Sequence, residues 1–313
     1  MTPASHPETS TETAKPTAAT APRLTLERTF DATPERLWTY WTDPKKYAKW
    51  LSPQKADLVI HEWDLRVGGK VRFDMPLDNG QVNKEEGVFH VLDKPRHLVS
   101  GNADKTFLLD VTFTPVDAKR TRMVVVVDGV PAEYHEMARQ GWGVGLDKLA
   151  EQVEVPGPGQ GFRIVRRFNV PTSKVYQMWT TKEGLAKWWA LSAEDMGFAF
   201  KVVKLDVRTG GEYDIVMSNQ EHGELHNHGK YVEVVPNKLL MQEWHFDIFL
   251  GPGETPYPIS VRIEFEEIDT MGPGSPKGTK MTFTQGPMAQ PEHTEGSRQG
   301  VIGNFAKLEA ALS

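Results

Sequence analysis

The stretch Arg28-Thr-Phe-Asp-Ala-Thr-Pro-Glu-Arg-Leu-Trp38 decides the fold, because its elements and those after it occur twice in the chain. Three short motifs recur with one constant separation: Arg28-Thr-Phe30, Trp41-Thr42 and Ala48-Lys49-Trp50 match Arg166-Arg-Phe168, Trp179-Thr180 and Ala186-Lys187-Trp188. Self-similarity over this length is typical of tandem copies of one structural unit.

Further matches extend the repeat to the end of each copy. They comprise Asp64-Leu-Arg-Val-Gly-Gly69 with Asp206-Val-Arg-Thr-Gly-Gly211, Gly87-Val-Phe89 with Gly229-Lys-Tyr231, Gln140-Gly141 with Gln299-Gly300, and Lys148-Leu149 with Lys307-Leu308. Between the copies, residues 156–161 (PGPGQG) are rich in helix and strand breakers. We therefore predict a first domain over 23–155, a linker over 156–161 and a second domain over 162–313.

Composition excludes several classes of protein. The 313 residues carry 36 Lys and Arg against 42 Asp and Glu, a net charge of -6, with no basic stripe of the kind that binds nucleic acid. With no Cys, disulfides, thiolate nucleophiles and Cys-ligated zinc are excluded. The longest aliphatic stretch, Met123 to Val127, is too short for membrane insertion. Residues 1–22 are polar and have no apolar leader segment, which predicts a disordered tail and a cytoplasmic protein.

Each copy shows the same order of predicted elements. Leu24 to Phe30 alternates as a strand, and Thr33 followed by Pro34 is typical of a helix N-terminus. Asp43-Pro44 starts a second short helix that ends near Trp50. Strand patterns follow over 56–65, 70–75, 87–92, 107–114 and 122–128, and apolar residues at three- or four-residue steps predict a long helix over 132–153. The fold class is therefore α+β, with a curved antiparallel sheet, two short helices and one long C-terminal helix in each domain.

This order, with the motif 28–38, Trp41-Thr-Asp-Pro44, Lys49-Trp50 and Gly141-Trp142, resembles domains homologous to the activator of heat-shock-protein-90 ATPase. That family belongs to the START-like (SRPBCC), helix-grip superfamily, which also contains polyketide cyclases and lipid-transfer proteins. The second copy departs from the pattern, with Thr181-Lys182 in place of Asp-Pro and Val301 in place of the tryptophan. The resemblance implies a cavity between the sheet and the long helix, open at one end.

Three glycines, Gly141, Gly143 and Gly145, lie within the predicted long helix of the first copy. Each costs about 1 kcal/mol of helix stability relative to Ala. Space for a ligand beneath the helix is one explanation, and close approach of the helix to the sheet is another of equal weight. On the first explanation, the cavity lies in the first domain.

Aromatic and titratable residues supply the remaining candidates. Trp41 and Trp179 are predicted core anchors, whereas Trp50 and Trp189 are candidates for the mouth of a cavity. The titratable residues considered are His61, Arg66, His90 and Tyr134 in the first copy and Tyr213, Tyr231, His245 and Asp247 in the second. The full candidate ligand-binding set is Trp50, Trp63, His90, Tyr134, Met137, Gly141, Trp142, Gly145, Trp189, Tyr231 and His245.

A metal site is considered at His222, His226 and His228 with Glu224. His226 and His228 lie two apart and share one face of a strand, but the third and fourth ligands that zinc needs are not evident. We predict a solvated hairpin there, with no metal and no cofactor.

Two functions from different classes remain open. The first is binding or sequestration of a small hydrophobic molecule, and the second is a cyclase or aromatase acting on a polyketide-type substrate. Co-chaperone activity is a third, weaker expectation, because the activator owes much of its stimulation to a separate N-terminal domain. No motif assigns catalytic residues or a protein partner.

Overall fold

The computed structural model describes residues 23–52, 56–77, 80–157, 159–246, 258–270 and 275–313. The predicted tail over 1–22 and the candidate Asp247 lie outside these ranges. The first domain contains β1 (Leu24–Phe30), α1 (Pro34–Thr42), α2 (Pro44–Leu51), β2 (Val59–Trp63), β3 (Lys70–Pro76), β4 (Val82–Asp93), β5 (His97–Gly101), β6 (Leu108–Pro115), β7 (Thr121–Asp128), a short 3-10 helix (Ala132–Tyr134) and α3 (His135–Val153).

The second domain repeats the order of strands and the long C-terminal helix, but it has three short helices after its first strand where the first domain has the predicted two. It contains β8 (Phe162–Phe168), α4 (Thr172–Thr180), α5 (Lys182–Ala186), α6 (Trp189–Asp195), β9 (Ala199–Leu205), β10 (Glu212–Asn219), β11 (Gly223–Val235), β12 (Leu239–Phe246), β13 (Ile259–Asp269), β14 (Lys277–Gln285) and α7 (Pro291–Ala311).

Each domain has its own antiparallel sheet, of seven strands within the described residues. The strand order is β1-β7-β6-β5-β4-β3-β2 in the first and β8-β14-β13-β12-β11-β10-β9 in the second. Register shifts interrupt β2, β4, β9 and β11. Such bulges bend a strand and increase its twist, so they curve each sheet around its helices. The predicted α+β class and tandem architecture are confirmed.

The repeated sequence motifs have local structural roles. Thr33 and Asp43 cap α1 and α2 as expected, each accepting backbone N–H bonds through its side chain. In the second copy Thr181 replaces the aspartate and caps α5 by accepting from the Gly184 N–H. A side chain on Gly69 would overlap the Asp64 carbonyl oxygen, which accounts for the Asp-to-Gly-Gly spacing.

The core of each domain lies between the inner face of its sheet and the helices. Trp41 and Trp179 are 1% and 3% exposed, which confirms their prediction as core residues. Burial of aromatic rings of this size dominates the stability of a core. No helix within the described residues is both long enough and apolar enough to cross a bilayer.

Candidate ligand site

Helix α3 packs on its own domain with one face and on the second domain with the other. Leu146, Leu149 and Val153 are buried against the first core. On the opposite side, the Asp147 carboxylate accepts from Arg28 of β1 at 2.7 Å and from Arg167 of β8 at 3.0 Å. Helix α3 is therefore fixed on both sides along its C-terminal half.

The three glycines of α3 face three different surroundings. A Cβ added at Gly141 would meet nothing within 4 Å, whereas one at Gly143 would lie 3.3 Å from the Arg167 guanidinium. At Gly145 the added Cβ would lie 3.2 Å from the Trp50 carbonyl oxygen and 3.4 Å from that of Leu51. Gly145 thus allows α3 to approach closely, but the element that it approaches is helix α2 and not the sheet that the close-packing alternative expected.

A chain of ring contacts runs along the inner face of the first domain. Trp142 of α3 stacks on Trp41 at 6.2 Å, and Trp41 meets Tyr47 at 6.1 Å. Tyr47 in turn contacts Trp63 at 4.9 Å, and Trp63 contacts Phe89 at 5.5 Å. Tyr47, Trp41 and Phe89 are buried, while Trp63 and Trp142 are half-buried. The two half-buried rings therefore present apolar surface at the edges of a buried aromatic floor.

Glu85 is the titratable group that faces this aromatic surface, and sequence reasoning missed it. On β4 it alternates with Gly87 and Phe89, and its register partner on β3 is the core residue Phe73. Glu85 is exposed on the side that faces solvent, and partial burial of its carboxyl against the sheet raises the pKa of that group. Burial also raises the pKa of the Tyr47 hydroxyl, and the negative charge of Glu85 adds to that shift.

The second domain fills the equivalent interior more completely. Phe283 and Phe305 are fully buried and meet edge to face at 5.4 Å, where the first domain has the smaller Val125 and Leu146. The cavity that remains beside Trp179, Trp189, Tyr213, Tyr231 and Trp244 measures about 10 Å³. This is the space of a single water molecule.

Polar groups occupy the rest of that interior. Asn227 is completely buried and accepts from the Tyr213 hydroxyl at 3.2 Å, and Gln242 accepts from the Trp244 indole N–H at 2.9 Å. Desolvation raises the pKa values of the Tyr213 and Tyr231 hydroxyls. Both phenols are therefore neutral hydrogen-bonding groups at physiological pH.

A groove of about 520 Å³ lies on the outer face of the second sheet. Its charged residues are mostly paired: His226 Nδ1 lies 2.9 Å from Asp214, and Lys230 Nζ lies 3.3 Å from Glu243. The rings of His228 and His245, which face each other across β11 and β12, stack at 5.3 Å. Among the described residues, no three His, Asp or Glu side chains are grouped to hold a metal ion.

This register corrects one candidate. His245 pairs with His228 on the outer face, whereas Tyr231 pairs with Gln242 on the inner face. The two predicted ligand residues therefore cannot line one interior site. Their separation follows from the strand period of two, which places neighbouring residues on opposite faces.

Four other candidates also lie away from an open interior. Trp50, expected at a mouth, is fully buried and donates to the Tyr40 carbonyl oxygen at 2.9 Å. Trp189, also expected at a mouth, is buried with Trp188 and Trp244. His61 binds Asp74 at 3.0 Å, and Arg66 binds Asp64 at 2.8 Å at the surface.

The remaining first-domain candidates lie around α3 and the bulge in β4. His90 occupies that bulge, with Nε2 3.0 Å from the Asn102 carbonyl oxygen. Tyr134 and Met137, at the start of the helical segment, are 51% and 54% exposed. Trp63 and Trp142 are the predicted residues that the structure joins through one aromatic cluster.

These features define a class: two tandem α+β domains in which a curved antiparallel sheet holds a long C-terminal helix. The family model described as "Activator of Hsp90 ATPase homolog 1-like protein" matches residues 31–154 and 169–313. The chain therefore belongs to this family, with one copy of the family domain in each half. No curated protein matches the sequence.

Solved structures resemble single halves of the chain. A protein from Chromobacterium violaceum is 23% identical, with 48% of this chain and 96% of that chain covered and a TM-score of 0.38. A protein from Mycobacterium smegmatis is 18% identical, with 48% and 88% covered and a TM-score of 0.37. One from Nitrosomonas europaea is 21% identical, with 50% and 96% covered and a TM-score of 0.36.

Proposed function

We propose that this chain binds or sequesters a small hydrophobic molecule on the inner face of the first domain. The observation that carries the proposal is the pair of half-buried rings, Trp63 and Trp142, at the edges of the aromatic floor formed by Trp41 and Tyr47. Apolar ring faces that remain partly open to water are the surfaces that gain most from covering by a hydrophobic ligand.

The contrast between the two domains supports placing the ligand in the first. The inner-face Ser100 of β5 lies between Phe89 and Leu109 and is only half-buried. The second domain has Gln242 between Tyr231 and Val261 at the matching place. Because smaller side chains leave more space, the first domain is the better host. We propose 23–155 as this ligand domain, joined by 156–161 to 162–313, in a cytoplasmic protein.

A titration with Nile red, a neutral hydrophobic dye, tests this function. Ser100→Phe places a ring over the inner face and should weaken binding about tenfold, which corresponds to about 1.4 kcal/mol. Thr112→Phe is the matched control, because Thr112 is exposed on the outer face of the same sheet. Equal affinity of the wild type and both variants would remove the site from this face. Native mass spectrometry of the protein purified from its source would identify a retained ligand.

The alternative is a cyclase or aromatase that acts in the same place. It is favoured by one observation, the proximity of the Glu85 carboxyl and the Tyr47 hydroxyl in a partly desolvated environment. Groups whose pKa values are shifted by burial in a concave site are candidates for acid-base chemistry. Turnover of a polyketide-type substrate that is lost in Tyr47→Phe, with the fold retained, would support this second function. Co-chaperone activity, which the family description suggests, has no supporting contact among the described residues.

A further inference from the structure

We propose that the ligand of the first domain is a hydrophobic organic cation, an amine bound by the Glu85 carboxylate beside the rings of Tyr47 and Trp63. The inference rests on the proposed function, since it uses the same inner face. It adds the chemical class of the ligand, which the fold alone does not give.

Strand register brings the carboxylate to the aromatic surface. Glu85 lies directly opposite Phe73 in the β3–β4 pair, so both side chains share the inner face. The Phe73 ring meets the Tyr47 ring at 6.1 Å, and Tyr47 meets Trp63 at 4.9 Å. One acidic group therefore lies at the edge of a cluster of three rings.

Glu85 has no counter-charge of its own. Within the described residues its carboxylate makes no ion pair or hydrogen bond, whereas the outward-facing Glu27 of β1 is paired with Arg122 at 2.6 Å. A carboxylate that is partly removed from water and unpaired is destabilised in its charged form. A ligand cation would supply the missing partner, and its binding would relieve that cost.

The neighbouring rings favour the same chemistry. The faces of Trp and Tyr carry negative electrostatic potential and attract cations within about 6 Å of the ring centre. An anionic ligand would meet repulsion from Glu85, and a neutral one would leave the carboxylate unpaired. Among hydrophobic molecules, the site therefore selects those with an ammonium group.

The second domain provides an internal comparison. Asn227 occupies the position that corresponds to Glu85, two residues before Gly229 as Glu85 is two residues before Gly87. Asn227 is neutral, completely buried and bonded to Tyr213. The charged group and the half-buried rings thus occur together in one domain and are both absent from the corresponding place in the other.

Two ligands with the same ring system separate this inference from the proposed function. The probes are 2-naphthylmethylamine and the neutral alcohol 2-naphthalenemethanol, each titrated calorimetrically into the full chain at pH 7. We expect the amine to bind about tenfold more tightly than the alcohol. Glu85→Gln should abolish this preference and leave the affinity for the alcohol unchanged.

Glu86→Gln is the matched control, because Glu86 is the adjacent residue on β4, carries the same charge and faces away from the core. It should leave the amine affinity as in the wild type. If Glu86→Gln lowers the amine affinity as much as Glu85→Gln, or if amine and alcohol bind equally, the inference is overturned and hydrophobic binding stands. If neither probe binds to the wild type, the proposed function fails and the inference fails with it.

Discussion

Two tryptophans of the first core differ in whether the indole N–H is bonded, which leads to an unequal cost of the same substitution. Trp41 and Trp50 are 1% and 0% exposed, and their rings lie 4.7 Å apart. Trp50 Nε1 donates to the Tyr40 carbonyl oxygen at 2.9 Å. Trp41 Nε1 is buried and makes no hydrogen bond to any described residue. We therefore predict that Trp50→Phe destabilises the domain more than Trp41→Phe.

The magnitude follows from comparing the two losses. Both substitutions replace an indole by a phenyl ring in the same core, so the loss of buried area and the new cavity are similar. Trp50→Phe also leaves the Tyr40 carbonyl oxygen unpaired, at a cost of about 1 to 3 kcal/mol, whereas Trp41→Phe removes a donor that was already unpaired. The difference in unfolding free energy between the two variants should therefore be about 1 to 3 kcal/mol.

Urea unfolding followed by far-ultraviolet circular dichroism measures that difference. A change in the midpoint at constant slope reports stability alone. The second domain offers a replicate, because Trp188 Nε1 donates to the Met178 carbonyl oxygen at 2.9 Å while Trp179 Nε1 is unpaired. If Trp41→Phe destabilises the protein as much as Trp50→Phe, and Trp179→Phe as much as Trp188→Phe, the N–H groups of Trp41 and Trp179 are bonded in solution and the reasoning is refuted.

Three further predictions concern α3 and the proposed ligand site. Asp147→Ala leaves Arg28 and Arg167 without their shared partner and should lower the free energy of unfolding by about 3 kcal/mol. Asp93→Ala, at the exposed pair with Arg96, should lower it by at most about 1 kcal/mol. Equal losses in thermal melts would contradict the bridging role of Asp147. Gly141→Ala should raise the free energy of unfolding by about 1 kcal/mol. Gly145→Ala should raise it by less, because the new Cβ meets backbone oxygens. A larger increase at Gly145 than at Gly141 would exclude close packing there. Because burial raises the pKa of Glu85 in the folded state, its contribution to stability is complete below the ordinary value of 4.5 and is lost as pH rises. Glu85→Gln should therefore gain stability relative to the wild type as pH rises above that value in urea titrations, and a constant difference would show an unshifted group.

The fold could be predicted because its determinants are local and occur twice. Caps at Thr33 and Asp43, alternation in Leu24–Phe30 and helical spacing in α3 each act within a few residues. Strand β5 (His97–Gly101) was not predicted, because its two apolar residues, Leu98 and Val99, are adjacent and show no alternation. The extension of β4 back to Val82 was also missed, since its exposed polar residues resemble a loop.

The candidate site was predicted less well, because it depends on which strand faces which. Glu85 belongs to the charged run Lys84-Glu-Glu86, which by itself indicates a solvated segment, and pairing with Phe73 is what turns it inward. His245 was placed inside because its register with His228 is not contained in either strand's own sequence. A shift of one residue exchanges the two faces of a strand, so such assignments need the sheet.

The two copies differ in how their interiors are filled and in what their first strands contact. Beneath α7 the second domain has Phe283 and Phe305 where the first has Val125 and Leu146, and the space of about one water molecule remains. Its first strand, β8, instead presents Arg166 and Arg167 to Glu151 and Asp147 of α3. Helix α3 is therefore stabilised by a partner outside its own domain. In the proposed function, these contacts would hold the C-terminal half of α3 in place while Trp142, in its N-terminal half, stays half-buried.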